Sequence, residues 1–599
     1  MEHATCISLA IFVLCFLTSA PWAYTTQVHA AAVLENANQG ILTLISLNLT
    51  PGNGTVKVDG PAEVDSSTVL SAKEAASYAA SYEGTNALAY NFTYFISSDS
   101  NKVSGPSAGL AFTLLAIAGM QQRQLPDDFS VTGTITPDGS VGLIGGVLDK
   151  VEAAKAGGSR YMIVPAAPSS SFEGLLYYLS QQTSGIPVIE VSNVSQAAQY
   201  LFGGKTLTPM RLNLSQPYDV NAIPSFIPVC TDCNVDAFNS LVNATFDFAG
   251  GAINGIGGNF ADAKRELSSN LGAYERIRTK GYLYTAADFA FLDYSYGYIL
   301  SHAGGINSTA AAATLDNVSA YCSSLASPNM TDANYEYVVG GRLRLLWAGI
   351  TLNSSVNALI SAQTTDDVAQ SLYSASAAAG WCQAANEQFA IASQLGGNYV
   401  GVSPSVKTEA ARLIGNESAL AGGGIYAQSA SEAYSSGDYA TALYAAEYVN
   451  AFGRSVPFAN LSAGELTASI NANLANSTKG IWPAEFTGQS RFYASQALAA
   501  SNKTAALAYL YQAYTTSTLA RGISSANAQL SGTFTAYNST GTSAQQLADI
   551  RQNISGIQQS ISQIYAVMLI GLVLLFVAFV AIIALVLRHE GPRKAKRGR

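Results

Sequence analysis

A serine and a lysine are the residues whose types and setting could support catalysis in this chain. Ser107 lies in the segment Gly-Pro-Ser-Ala-Gly at 105–109, and Lys150 follows a Gly-Gly pair in a short apolar stretch. The 599 residues include only four histidines, so a serine-histidine-aspartate relay has few candidates for its base. A desolvated lysine is the known chemical substitute. We therefore predict Ser107 as a nucleophile and Lys150 as its general base.

Lys150 could serve as a base only if its neutral form is populated near the working pH. Burial in an apolar environment favours the neutral amine, and the neighbours Val147, Leu148 and Val151 supply such an environment. Asp149 is the complication, because a carboxylate pointing at the amine would keep it charged. The prediction therefore requires the Asp149 side chain to face away from Lys150.

The residues around Ser107 predict a substrate loop that precedes a helix. The apolar run 110–120 indicates a helix, and amide groups at a helix start can stabilise a developing oxyanion. Gly105 and Gly109 allow the backbone to approach a substrate closely, while Pro106 stiffens the turn. With Ala108, these residues form the predicted oxyanion and substrate loop.

In combination, these segments resemble the proteolytic domain of Lon proteases. In that family the nucleophilic serine lies in Gly-Pro-Ser-Ala-Gly and the general-base lysine in a Gly-Gly-x-x-x-Lys helix. Here 43 positions separate Ser107 and Lys150, which matches the family's spacing. Thr132, in a hairpin-like segment at 132–141, matches the threonine whose hydroxyl supports the dyad. The resemblance covers roughly residues 36–204 and implies a Ser-Lys serine endopeptidase without a metal or cofactor.

Two positions depart from the family's pattern. Ser104 stands where many members carry an acidic residue, and Thr134 stands in place of a glutamate. The sequence also shows no convincing nucleotide-binding motif, because the nearest lookalike, Gly204-Lys205-Thr206, has Gln199 where a phosphate-binding loop needs its first glycine. We therefore expect an enzyme that acts without ATP, on peptides, flexible loops or unfolded chains.

Two regions of different composition indicate a two-domain architecture. Residues 36–205 alternate strand and helix patterns and predict an α/β or α+β domain. The expected strands are 41–49, 88–96, 129–135, 140–144, 161–164 and 187–191, and the expected helices are 72–82, 110–120 and 194–202. Residues 206–235 contain scattered prolines and a Cys-x-x-Cys motif and predict a linker. Residues 236–540, rich in Ala and Tyr at helical spacing, predict a large all-α domain.

Apolar segments near both termini predict export and membrane anchoring. Residues 1–30 are typical of a signal peptide that is cleaved near small residues, with an uncleaved anchor as the alternative. Residues 564–587 form an unbroken apolar run long enough for a transmembrane helix, and the basic tail 588–599 favours a cytoplasmic C-terminus. We expect a single-pass protein of the cell membrane whose ectodomain is extracytoplasmic. Asn-x-Ser/Thr triplets from Asn48 to Asn553 are consistent with a glycoprotein.

Residues 541–563 carry isoleucines at heptad spacing and predict a self-associating stalk, with a lone amphipathic helix as the alternative. Four cysteines remain after the leader, at 230, 233, 322 and 382, and they allow three disulfide pairings. A zinc site is the alternative for these cysteines, but the single Cys-x-x-Cys has no partner pair at finger spacing, so no metal is expected.

Charge and composition exclude some classes of function. The net charge of -9, with no basic stripe before the tail, argues against a nucleic-acid partner. The expected partners are peptide or unfolded protein substrates, the membrane and further copies of this chain. The alternative to an enzyme is a catalytically inactive Lon-fold scaffold at the cell surface, with the tyrosine-rich helical domain as its binding part.

Overall fold

The computed structural model describes residues 23–34, 39–98, 100, 102–168, 171–214, 218–230, 233–417, 424–453, 461–477, 479–532 and 534–536. Two compact units are present. The first comprises the described residues up to Leu214 together with Gly257–Ala263 and Ala362–Ala369, and the second comprises the remaining described residues. The first unit is α/β and the second is helical, which confirms the predicted order of fold classes.

The first unit is built on a mixed seven-stranded sheet with the order β11-β10-β7-β1-β2-β5-β3. Strands β1, β7, β10 and β11 run parallel, whereas β2 is antiparallel to both β1 and β5. The strands are β1 (Tyr24–Leu34), β2 (Gln39–Pro51), β3 (Val56–Asp59), β4 (Glu63–Val64), β5 (Tyr90–Ser97), β6 (Lys102–Val103), β7 (Phe129–Val131), β8 (Thr134–Ile135), β9 (Val141–Gly142), β10 (Tyr161–Pro165) and β11 (Val188–Val191). The helices are α1 (Ser66–Tyr82), α2 (Gly109–Met120), α3 (Val147–Ala156), α4 (Phe172–Ser184) and α5 (Val194–Leu201).

Strand β1 corrects the predicted boundary of the leader. Residues 24–30, assigned from sequence to the signal peptide, belong to this strand, which pairs with β2 over eleven residues and with β7 on its other side. Val28, Ala30 and Ala31 are buried, so a cut at the expected sites near 28–32 would divide a central strand. The small residues were interpreted as a cleavage signal, but they pack in the core. Residues 1–22 lie outside the described residues.

Helix α2 is the hydrophobic centre of the first unit. Every residue from Gly109 to Gly119 is buried, and a helix that is apolar on all sides is stable only when it is covered on all sides. It packs against β1, β2 and α1, and its core includes the ring pair Tyr94 and Phe112, whose centroids lie 4.8 Å apart. This burial fixes the start of α2, which directly follows the turn that contains Ser107.

The second unit consists of helices joined by short connections. The helices are α6 (Val235–Asn254), α7 (Ala261–Thr279), α8 (Leu283–Ser301), α9 (Ser308–Ser324), α10 (Tyr335–Ile360), α11 (Thr365–Gln394), α12 (Pro404–Glu417), α13 (Gly424–Ser435), α14 (Tyr439–Phe452), α15 (Ala463–Leu474), α16 (Ile481–Ala499) and α17 (Lys503–Gly532), and the short strands are β12 (Val400–Gly401) and β13 (Thr535–Ala536). The first residues of α7 and α11 group with the α/β unit. Disulfides join Cys230 to Cys233 and Cys322 to Cys382, which selects one of the three possible pairings.

Among the described residues, no helix combines the length and apolar character needed to cross a bilayer. The predicted stalk 541–563, the predicted transmembrane segment 564–587 and the basic tail 588–599 all lie outside the described residues. The predicted linker at 206–235 contains neither helix nor strand from 206 to 234 where it is described. Its residues Met210, Leu212 and Leu214 are nevertheless buried.

Candidate active site

Ser107 lies in a single 3-10 turn, Pro106–Ala108, that leads directly into α2. The start of α1 holds this turn in place. The Thr68 hydroxyl donates to the Gly105 carbonyl at 3.1 Å, and the Ser71 hydroxyl donates to the Pro106 carbonyl at 3.2 Å. The loop backbone is therefore fixed on both sides of the serine, whose own side chain is half-buried.

The two glycines of the loop are needed for different structural reasons. Gly105 has φ +96°, a left-handed conformation that side chains with a Cβ disfavour. Gly109 has an ordinary helical backbone, but an added Cβ would lie 2.8 Å from the Ser71 hydroxyl and 2.9 Å from a methyl group of Ile135. The first glycine permits the turn and the second permits close packing beneath it. Pro106 opens the turn, and Ala108 precedes the first residue of α2.

Thr132 follows β7 and is fully buried. Its hydroxyl donates to the carbonyl oxygen of Ser107 at 3.3 Å, and the amide of Gly133 donates to the same oxygen at 2.8 Å. The end of β7 therefore positions the backbone of the serine loop. The structure places the Thr132 hydroxyl on the Ser107 carbonyl, so its contribution is to the position of the loop.

Lys150 lies in the first turn of α3 and is only 4 % exposed. Burial lowers the pKa of its amine to about 8, although the negative charges of Asp366 and Asp149 oppose this shift. Among the described residues the amine makes no hydrogen bond and no ion pair within 4.0 Å. An amine in this environment is a base of useful strength near neutral pH.

The starts of α3 and α11 cap each other. The Asp366 carboxylate accepts hydrogen bonds from the amides of Val147, at 2.7 Å, and Leu148, at 2.9 Å. In return, the Asp149 carboxylate accepts hydrogen bonds from the amide and the hydroxyl of Thr365, at 2.8 and 2.5 Å. This exchange satisfies amide groups that a helix leaves unpaired at its start. It also gives the Asp149 carboxylate partners other than Lys150, while the negative charge of Asp149 still raises the pKa of the lysine amine.

Asp366 is the member of this arrangement that sequence reasoning did not find. Its side chain is buried, and desolvation raises its pKa to about 6, while hydrogen bonds from Leu148 and Val147 oppose the rise. The pattern Thr-Thr-Asp-Asp at 364–367 signals a helix start in the sequence. This pattern does not indicate which other helix the Asp366 carboxylate will cap, and that helix lies more than 200 residues away in the sequence.

The turn that contains Ser107 and the first turn of α3, which contains Lys150, both lie near the carboxyl ends of parallel strands. The Ser107 carbonyl is bonded at the end of β7, while the first turn of α3 packs on Gly40, where an added Cβ would meet the Asp149 carbonyl. Gly40 pairs with Val33 near the end of β1, the parallel neighbour of β7. Among the described residues, no hydrogen bond joins the Ser107 hydroxyl to the Lys150 amine, and neither group has another hydrogen-bond partner.

Comparison with known proteins connects this region to one family. Residues 35–201 match the model of the Lon protease (S16) C-terminal proteolytic domain. The Lon protease of Ureaplasma parvum is 35 % identical over 101 residues, which cover 17 % of this chain and 12 % of that protein. The archaeal Lon protease of Methanocaldococcus jannaschii is 32 % identical over 102 residues, which cover 17 % of this chain and 14 % of that protein.

A longer match is found to the Lon protease of Neorickettsia sennetsu, at 25 % identity over 183 residues, or 29 % of this chain and 21 % of that protein. The chain thus spans only about a fifth or less of the length of these relatives. The matched residues include the serine loop and the first turn of α3, together with the hairpin between them. Residues 35–201 are therefore similar to the Lon-type (S16) proteolytic domain over the part of the chain that contains Ser107, Thr132 and Lys150.

Proposed function

We propose that this chain is a serine endopeptidase of Lon type in which Ser107 is the nucleophile and Lys150 the general base, and that it acts without ATP. The observation that carries the proposal is the Lys150 amine, which is buried and lacks an ion-pair partner among the described residues. Such an amine can be neutral and accept the serine proton. Peptides and unfolded segments are the proposed substrates.

The proposed reaction begins when the Ser107 hydroxyl attacks the carbonyl carbon of the scissile peptide. Its proton passes to the neutral amine of Lys150, and negative charge develops on the carbonyl oxygen. We expect backbone amides of the serine loop to stabilise that oxyanion. As the C–N bond breaks, the Lys150 ammonium returns its proton to the leaving amine. Lys150 then takes a proton from the water that attacks the ester carbon, and it returns this proton to the Ser107 oxygen as the C–O bond of the ester breaks.

This reaction requires the serine hydroxyl and the lysine amine to come within hydrogen-bond distance when substrate is bound. Catalytic hydrogen bonds often tighten only in the substrate complex. The backbone on both sides is fixed, by α1 and Thr132 for the serine loop and by Asp366 for α3. A rotation of the two side chains is therefore the movement that we expect.

The proposal is tested by hydrolysis of a fluorescein-labelled unfolded protein by the full chain, with and without ATP. Ser107→Ala and Lys150→Arg should each abolish the hydrolysis, since the first removes the nucleophile and the second leaves a permanent cation in place of the base. Ser81→Ala and Lys73→Ala, both at exposed positions of α1, serve as matched controls and should retain full activity. Substantial activity in Ser107→Ala, or none in a folded wild-type chain, would contradict the proposal.

We also propose that the chain is anchored in the cell membrane by 564–587, with the peptidase unit outside and 588–599 in the cytoplasm. The support is the apolar run and the basic tail that follows it. Flotation with lipid vesicles should retain the full chain but release a chain that ends at residue 563. Release of both forms would contradict the anchor.

Self-association through the heptad segment 541–563 is a further proposal, because isoleucine at both core positions favours assemblies of three or more strands. Sedimentation of the full chain in lipid nanodiscs, compared with a chain in which three core isoleucines are replaced by aspartate, tests it. A strict monomer for the unaltered chain would contradict the stalk.

A further inference from the structure

The helical unit contains a cavity of about 610 Å³, a volume typical of small-molecule sites. Its walls are mainly aromatic, and three of the chain's four tryptophans, Trp347, Trp381 and Trp482, line it. The Trp347 ring lies in edge contact with Trp381, with the centroids 5.8 Å apart. A flat apolar body would therefore find ring faces and edges on several sides of this space.

One buried cation lines the cavity. Arg344 is 7 % exposed, and its guanidinium carbon lies 4.6 Å from the ring centroid of Trp482 and 5.2 Å from that of Trp347. The guanidinium donates hydrogen bonds to the Gly340 carbonyl, at 3.3 Å, and to the Tyr448 hydroxyl. Within the described parts of the chain, no carboxylate lies within 4.0 Å of this guanidinium.

An arginine in this setting is expected to pair with an anion. Burial of a cation is costly unless it is paired and hydrogen-bonded, and stacking on indole rings offsets only part of that cost. Arg342, two residues away on α10, shows the usual solution, because its guanidinium contacts the Asp438 carboxylate at 3.3 Å. The planar donors of Arg344 match the geometry of a carboxylate.

Gln388 lines the same cavity and is completely buried. Neither its amide nitrogen nor its amide oxygen has a hydrogen-bond partner among the described residues. Other buried glutamines of this unit are bonded, as Gln489 is to the Asp288 carboxylate at 2.9 Å. A side chain larger than hydrogen at Gly340 would collide with the Gln388 oxygen, at 2.2 Å. The chain thus makes room for a buried amide that it does not itself satisfy, although such groups are normally paired.

Asp288 is the other charged group of the lining, and it already has a partner in Gln489. Burial raises the pKa of Asp288 to about 6, and the hydrogen bond from Gln489 and the charge of Arg344 oppose the rise. Two buried polar groups of the lining therefore lack a full set of partners among the described residues. The Arg344 guanidinium has no carboxylate within 4.0 Å, and the Gln388 amide has no hydrogen-bond partner.

We propose that this cavity binds an apolar organic acid, whose carboxylate pairs with Arg344, whose ring or chain packs among the tryptophans and whose second polar group bonds to Gln388. A free aromatic acid and the C-terminal carboxylate of a short apolar peptide share this chemistry. The proposal uses no residue of the α/β unit and does not depend on the proposed peptidase activity.

The test measures binding of small probes to the full chain in lipid nanodiscs by tryptophan fluorescence and by calorimetry. The fluorescence reports on the cavity because three of the four indoles line it. Biphenylacetate and its neutral amide form one probe pair, and N-acetyl-Leu-Phe with a free carboxylate or a C-terminal amide forms the other. We expect the acid to bind at least about tenfold more tightly than the amide in one or both pairs. Preference within the first pair indicates a free acid, and preference within the second a peptide terminus.

Arg344→Met should lower the affinity for the acid by about tenfold or more and leave the affinity for the amide nearly unchanged. Arg276→Met, at an exposed position of α7, is the matched control and should bind as the wild type does. If Arg344→Met does not fold, Arg344→Lys keeps the charge but loses the planar donors, and it should bind the acid more weakly while still preferring it to the amide.

Gln388→Leu should bind N-acetyl-Leu-Phe more weakly, because the leucine has no amide to bond to the peptide. Equal affinity for acid and amide in both pairs, or unchanged binding of the acid by Arg344→Met, would overturn the proposal. Failure of all four probes to bind the wild type would overturn it as well, and would indicate that ordered water satisfies Gln388.

Discussion

Replacement of Lys150 by methionine should make the protein more stable while it destroys activity. Methionine has a similar shape and no charge, so it removes the cost of burying an ammonium group. The pKa falls from 10.5 for an ordinary lysine to about 8 in the folded protein, and this difference corresponds to roughly 3 kcal/mol against folding at neutral pH. For a unit of about 200 residues we expect a rise in Tm of roughly 6–12 °C.

The magnitude of this stabilisation depends on pH in a way that distinguishes removal of a buried charge from better apolar packing. Because the folded-state pKa is depressed, protonation favours the unfolded chain, and the cost is fully present below the folded pKa of about 8. It decreases as the pH rises and vanishes above 10.5. The stability difference between Lys150→Met and the wild type should therefore shrink over this interval, whereas a gain from apolar packing alone would persist.

Scanning calorimetry of both proteins at several pH values measures this difference, with Lys73→Met at an exposed site of α1 as the control. The control should change Tm little at any pH. A Lys150→Met protein that is less stable than the wild type at neutral pH, or a difference that does not vary with pH, would refute the conclusion that the amine is held in a desolvated site.

Three further predictions concern the elements that position the two predicted catalytic residues and the helices of the second unit. Asp366→Asn removes a negative charge that raises the pKa of Lys150, so the rise of activity with pH should move to lower pH, as a rate profile would show; a shift to higher pH would contradict this. Gly109→Ala places a methyl group within 3.0 Å of three atoms and should lower both the Tm and the activity. An unchanged Tm and an unchanged activity would contradict this prediction. Cys322→Ser opens a disulfide with a sequence separation of 60 and should destabilise the helical unit by roughly 2–4 kcal/mol in denaturant titration, without affecting the pH profile.

The core elements of the α/β unit could be predicted because local patterns and core packing agree there. The run at 110–120 is apolar at every position, and the structure buries it as α2. The segment 132–141 was predicted to resemble a hairpin, and β8 and β9 pair as one in the structure. The predicted strand 129–135 is interrupted at Thr132 and Gly133, where the backbone turns to bond Ser107.

The features that sequence could not supply are contacts between distant segments. Small residues at 28–32 have the composition of a cleavage site as well as of a crowded central strand, and only the pairing with β2 distinguishes the two. The Asp366 cap on α3 joins residues more than 200 positions apart. The composition of the tyrosine-rich helices does not indicate which buried polar groups lack partners, and the lack of a partner for Gln388 among the described residues is visible only in three dimensions.

The most direct measurement of the central claim is the pH dependence of kcat/KM for hydrolysis of an unfolded substrate by the full chain. If neutral Lys150 is the base for Ser107, activity should rise with pH to a plateau, with its midpoint near the pKa of about 8 that burial gives this amine. Ser107→Ala should be inactive across the whole range. A midpoint at the ordinary lysine value of 10.5, or a rate that does not vary with pH, would contradict the account.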